Sequence, residues 1–114
     1  MQFQFQLEKH YCRRNLRKLD KLIIERHLKN AEDKLQSAKI LLKNDRISDV
    51  VSRAYYAAFH CLQALLNSEN LEAKTHGGTR TLFGLHFIQT GKFDKKFAKY
   101  ISNLADDREA GDYD

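Results

Sequence analysis

Residues 49–66 read DVVSRAYYAAFHCLQALL. Wound at 100° per residue, Asp49, Arg53, Tyr56, His60 and the nearby Asn67 fall within about 40° of one line, with Ser52 and Gln63 flanking it. The rest of the stretch is apolar or small. A helix apolar around most of its circumference normally lies at the centre of a bundle. Ala54, Ala57, Ala58 and Cys61 are small enough to let neighbouring elements approach closely. The segment therefore predicts one long, nearly all-buried helix in an all-α protein. Its start is expected between Ile47 and Asp49, with Ser48 as N-cap and Asp49 set in the first turn to suit the helix dipole. Its end is expected near Asn67 to Asn70.

Upstream, Leu28, Ala31, Leu35, Ala38 and Leu42 follow spacings of three and four, one face of an amphipathic helix ending near Leu42 to Asn44. Residues 11–25 are basic and carry only a weak stripe of Leu16, Leu19, Ile23 and Leu22. The short Asn44-Asp45-Arg46 link suits an antiparallel turn. Downstream, the paired glycines of Thr75-His76-Gly77-Gly78-Thr79 predict a loop. A third helix is expected over about 79–89, stopped by Gly91. A fourth should start at Lys92 or Asp94 and run to Asp107, with Phe93, Phe97, Tyr100, Ile101 and Leu104 as its inner face and a frayed REAGDYD end. The alternation in MQFQFQLEKH fits a short strand or a flexible arm equally.

Length and composition bound the rest. A chain of 114 residues fits one domain, and at this size oligomerisation is a way to bury more apolar area. Proline is absent, so nothing breaks helices from within. A net charge of +5 would assist an encounter with a polyanion without requiring one. The first 46 residues hold 12 Lys or Arg against 6 Asp or Glu, whereas the last nine hold five acidic residues and one arginine. Two cysteines, Cys12 and Cys61, are too few for a disulfide scaffold and form no CxxC pair. No apolar run is long enough to cross a membrane, and the opening lacks the marks of a signal peptide. The expected location is the cytoplasm. No cofactor is expected, and the histidines do not have metal-ligand spacing.

The narrow polar line has two readings. A carboxylate four residues before an arginine is a common helix pair, and a histidine on a mixed face commonly packs without chemistry. The functional reading has definite content: Arg53 offers a planar fork for phosphate, and His60 exchanges a proton near neutral pH. One heptad separates them by about 10 Å along the axis, so two facing helices would serve one phosphate better than one. His76 and His86 are expected to be structural, and His10 and His27 to be surface groups. No phosphate-binding glycine loop or serine-hydrolase elbow is present.

The run SRAYYAAFHCLQALL resembles the signature helix of the HEPN superfamily (higher eukaryote and prokaryote nucleotide-binding), in its small archaeal and bacterial branch. The likeness extends from about Leu28 to Tyr113. It includes AKILLKNDRISD, RAYYAAFH, His76-Gly77, Phe83, Gly91 and Arg108-x-x-x-Asp112-Tyr113. The expectation is a single domain over 1–114, with 1–10 as a flexible or irregular arm; the resemblance implies an up-and-down bundle of four to five helices that dimerises. It implies a helical partner for a small nucleotidyltransferase, in toxin–antitoxin-like pairs, with nucleotide or RNA as ligand. The alternatives are a metal-independent endoribonuclease and a purely structural dimer. Under the ribonuclease reading Arg53 and His60, with six residues between them, would be catalytic, with Asp49 and Tyr56 supporting; Arg108 joins them for nucleotide or RNA binding. Ala54 stands where the family usually places a polar residue.

Overall fold

The computed structural model describes residues 16–113, with side chains through residue 110. It is a bundle of four helices: α1 (Lys18–Lys43), α2 (Ile47–Ser68), α3 (His76–Phe83) and α4 (Lys95–Tyr113). A single π-helical turn, Gly84–Ile88, continues α3. No strand occurs among the described residues. The reading of residues 1–10 lies outside them.

The weak basic stripe and the clear stripe belong to one helix. Ile24, Ala31 and Ala38 are buried a heptad apart on α1, with Leu28 and Leu35 half-buried between them. This corrects the inner face expected near the start. Leu19 is 60% exposed and Ile23 39%, while Ile24 is fully buried. Projecting the Leu28–Ala38 stripe backwards through an unbroken helix leads to Ile24, and that phase is lost when the basic stretch is treated separately.

The α1–α2 link is a Schellman turn. Asp45 takes a left-handed φ of 56°, Arg46 N–H donates to the Leu41 carbonyl at 3.0 Å, and Asp45 N–H to that of Leu42 at 3.2 Å. Such a reversal lays α2 antiparallel along α1. Arg46, not Ser48, holds the N-cap position and provides no side-chain cap; Ser48 is already inside α2. The end of α2 repeats the turn, with Asn70 at φ 58° and Leu71 N–H reaching the Leu66 carbonyl at 2.9 Å.

The central helix is buried unevenly. Tyr55, Ala57, Cys61, Leu62, Ala64, Leu65, Leu66 and Ser68 are buried, but Ile47, Ser48, Asp49 and Arg53 are exposed. Leu62, Leu65 and Leu66 join Ile24, Phe83, Phe87, Phe93, Phe97 and Ile101 in the main core. Cys61 is buried, and burial pushes its thiol up to about 11, so it packs as an apolar group.

The glycine pair is helical, not a loop. Thr75 caps α3 by accepting from Gly78 N–H at 2.9 Å, so the helix starts at His76, three residues before the expected position. A Cβ at Gly78 would meet the capping oxygen at 3.0 Å, which explains the glycine there. Gly91, at φ 79°, ends the π turn as expected. α4 begins at Lys95, after Asp94 accepts from Lys96 N–H at 2.9 Å, and stays helical to Tyr113 rather than fraying after Asp107. Of its expected inner face, Phe97 and Ile101 are buried and Leu104 is half-buried; Phe93 is buried just ahead of the helix, but Tyr100 is 56% exposed.

Candidate functional site

The polar line on α2 is divided among three neighbours. Asp49 pairs with Arg46 at 3.3 Å instead of Arg53. Arg53 is exposed and forms no ion pair or side-chain hydrogen bond among the described residues. Tyr56 and His60 are half-buried and engage other helices. Asp49, Arg53 and His60, the internal network that a purely structural dimer would use, are not joined to one another among the described residues, because Arg46, one turn earlier, takes the carboxylate.

Tyr56 leads to α4. Its hydroxyl accepts from Arg108 Nη2 at 2.9 Å, and the guanidinium lies over the rings of Tyr56 and Tyr55 at 5.1 and 5.3 Å. Tyr55 reaches α3, its hydroxyl standing 3.1 Å from His76 Nδ1. The His76 ring stacks on Phe59 at 4.0 Å between centroids. Three helices thus meet at an arginine, a histidine and three aromatic rings. Arg108 Nε is buried with no hydrogen-bond partner. A buried charged donor left unpaired is costly, and its cost falls when an anion or water reaches it.

His60 leads to α1. Its Nδ1 is 3.1 Å from His27 Nδ1, with the rings tilted 36°. Burial is the largest cause lowering both histidines below their ordinary value, followed by cations: His60 and Arg26 act on His27, Lys34 and His76 on His60. His76 is lowered by burial, then by Arg108 and Arg80. All three rings are therefore held towards the neutral form near pH 7.

His27, His76 and Tyr55 were not expected in this cluster. Tyr55 falls on the apolar arc of the wheel, and the ring there hides a hydroxyl that finds a partner. His27 was legible from the turn alone. Folding back at Asp45 puts position 60 opposite about position 30, within one turn of His27. No local signal places Arg108 against Tyr56, because that contact depends on how α4 crosses α2.

The outer surface of the bundle carries an apolar groove of about 200 Å³ between α1, α2 and α4. Ala31, Leu35, Ala54, Ala58, Tyr100 and Leu104 are among its lining residues. Among the described residues, no group of three or more His, Cys, Asp or Glu is placed to hold a metal. No helix among them is long and apolar enough to cross a membrane.

Comparison with known proteins finds several relatives. A UPF0332 protein of Pyrococcus horikoshii is 39% identical over 85 residues, covering 75% of this chain and 60% of that protein. The chain therefore spans about three-fifths of that relative's length. A UPF0332 protein of Thermotoga maritima is 38% identical over 91 residues, covering 80% of this chain and 69% of that one. A Methanocaldococcus jannaschii protein named "Putative toxin" is 41% identical over 83 residues, covering 73% of this chain and 62% of its own. A second protein of that organism bears the same description at 34% identity over 91 residues, covering 80% of this chain and 62% of that one. No solved structure matches the chain. The HEPN domain model matches residues 24–114, which takes in the α1–α2 hairpin and the helices that deliver His76 and Arg108, and the chain belongs to the HEPN family.

Proposed function

We propose that this chain is a toxin-like HEPN component that binds the phosphate of a nucleotide or RNA and acts as the helical partner of a small nucleotidyltransferase. The observation that carries the binding role is the unpaired, buried Nε of Arg108 beside the Tyr55, Tyr56, Phe59 and His76 rings. A guanidinium with spare donors suits phosphate, and aromatic faces suit unstacked bases. Exposed Arg53 adds a second cation one turn away from Tyr56 on α2. The relatives described as putative toxins support the toxin-like role. Titration of a labelled single-stranded RNA and of ATP should show saturable binding that weakens at higher salt. Arg53→Ala and Arg108→Ala should each weaken it by about tenfold or more, the loss typical of a charged hydrogen bond. Equal binding by parent and both variants rules the site out. Co-expression with a small nucleotidyltransferase should give a co-purifying complex. Pairing of two copies belongs to the same proposal: the apolar groove floored by Ala54 and Ala58 is the kind of surface that a dimer buries, and sedimentation equilibrium reads the mass.

A second reading, metal-independent ribonuclease, is favoured by His60. It is half-buried and lowered below its ordinary value, so it is available as a base at neutral pH. His60 would take the proton of a ribose 2′-hydroxyl. The 2′-oxygen would then bond to the adjacent phosphorus, and the bond from phosphorus to the 5′-oxygen would break. The leaving 5′-oxygen takes a proton from water, giving a cyclic phosphate and a free 5′-hydroxyl. Arg53 would stabilise charge on the phosphate. RNA cleavage in the presence of chelator should be lost in His60→Ala and reduced in Arg53→Ala. Unchanged cleavage by both variants removes this assignment.

A further inference from the structure

The histidine pair between α1 and α2 is joined through like nitrogens. The ring centroids are 5.4 Å apart, close to the largest separation that a 3.1 Å contact between ring nitrogens allows. The two Nδ1 atoms therefore lie nearly on the line joining the rings, which is the arrangement of a straight N–H···N bond. A metal ion could not sit between them without parting the helices, since two imidazoles on opposite sides of one ion need about 4 Å between nitrogens. What fits the gap is one proton.

That single proton couples the two rings. In the neutral pair one ring carries its hydrogen on Nδ1 and donates, and the other accepts with a bare Nδ1. The donor ring is then left with a bare Nε2, the form a general base needs. We propose that His27 is a positioning residue for His60: it holds His60 as the Nδ1–H donor and leaves His60 Nε2 open to take a proton from substrate. The chemical use of that nitrogen rests on the ribonuclease reading; the pairing itself does not.

Like charge couples the two rings: a proton on one disfavours a proton on the other, so the pair takes up one proton before a second. The charged groups that act on the two rings are Arg26 and Lys34 from α1 and His76 from α3, and Arg108 of α4 acts through His76. All are basic groups. No carboxylate among the described residues takes the role of orienting His60, so His27 is the group that does it. When His60 takes a proton at Nε2, its Nδ1–H···Nδ1 bond becomes charge-assisted and strengthens. A second proton on the pair would set two N–H groups against each other at the 3.1 Å contact and break it.

The test is long-range ¹⁵N–¹H spectroscopy of the imidazole rings in the parent protein at pH 7.5, with His60 assigned by its loss in His60→Gln. A neutral His60 bearing hydrogen on Nδ1 is the expected result. Finding hydrogen on Nε2 of His60 overturns the proposal. His27→Ala should then shift His60 towards a mixture of tautomers, and His27→Asn, whose carbonyl oxygen can accept the same hydrogen, should restore the parent pattern. An unchanged His60 spectrum in folded His27→Ala also overturns it. If His27→Ala fails to fold, the parent spectrum and His27→Asn decide the matter. RNA cleavage separates the two ideas. Where the parent cleaves, His27→Ala should lose about tenfold or more in rate, with His27→Asn recovering most of it and keeping an acid-side loss of rate, because His60 itself still titrates. A parent with the expected tautomer and no cleavage of any RNA removes the ribonuclease reading and leaves the positioning intact. Cleavage that ignores His27→Ala removes the positioning and leaves the ribonuclease reading.

Discussion

The two ends of α2 behave as different materials. From Leu62 to Ser68 the helix is sealed: Leu62, Ala64, Leu65, Leu66 and Ser68 are all at or near zero exposure. From Ile47 to Arg53 it is open, with Ile47 57% exposed and Asp49 and Arg53 in solvent. Between them lie buried Tyr55 and half-buried Tyr56, Phe59 and His60, whose polar groups reach α1, α3 and α4. The gradient teaches where a small bundle can hold reactive groups. Full burial would force each to be neutral and fully paired, and full exposure would leave it unpositioned.

The contrast breaks most sharply under truncation. Leu65→Ala removes a fully buried side chain from the main core and should cost about 2–5 kcal/mol, a large share of the stability of a domain this size. Arg53→Ala, at the open end, should change the unfolding free energy by no more than about 0.5 kcal/mol while weakening anion binding. Urea denaturation of both variants reads the difference. A comparable loss in both would mean that the open end is packed against something in solution, and sedimentation would then show a dimer.

The middle of α2 should show itself through pH. His27, His60 and His76 are all lowered in the folded protein, from an ordinary value of 6.5. The unfolded chain therefore binds protons on these residues at a higher pH than the folded chain does. Stability is then highest above about pH 6.5 and falls as pH drops through that value, levelling off below the folded values. Denaturant midpoints between pH 8 and pH 5 should fall towards the acid side, and His60→Gln should flatten that slope. A midpoint that rises on acidification contradicts the buried, cation-flanked setting of these rings.

The hairpin was legible before any coordinates, but the gradient was not: the helix expected to be nearly all-buried is open from Ile47 to Arg53. The apolar arc of DVVSRAYYAAFHCLQALL and the stripe from Leu28 to Ala38 locate the hairpin, because burial follows periodicity, although Leu42 at the end of the expected stripe is 55% exposed. The partners of the polar line were not legible on the wheel, which shows what shares a face but not what stands opposite. Asp49 chose Arg46 from the turn, His60 chose His27 from α1, and Tyr56 chose Arg108 from α4. The glycines at 77 and 78 misled for another reason. Glycine weakens a helix interior, but in the first turn Gly78 N–H meets the Thr75 oxygen, and at Gly78 a side chain would crowd that cap.

The smallest predicted effect sharpens the comparison at the two turns that bound α2. Both turns place a non-glycine residue in the left-handed region, Asp45 at φ 56° before the open end and Asn70 at φ 58° after the sealed end. Both use the same pair of backbone hydrogen bonds, so the backbone requirement is nearly identical. Glycine enters this region without a Cβ penalty but loses more freedom on folding, so the net gain from substitution is modest. Asp45→Gly should raise stability by about 0.5–1 kcal/mol, and Asn70→Gly by a few tenths at most, because asparagine already tolerates this conformation well. Thermal unfolding should show the first as a rise of a few degrees. If Asp45→Gly instead lowers Tm, its carboxylate contributes more to the basic hairpin end, beside Lys43 and Arg46, than its backbone angle costs, and the open end of α2 is held by charge where the sealed end is held by packing.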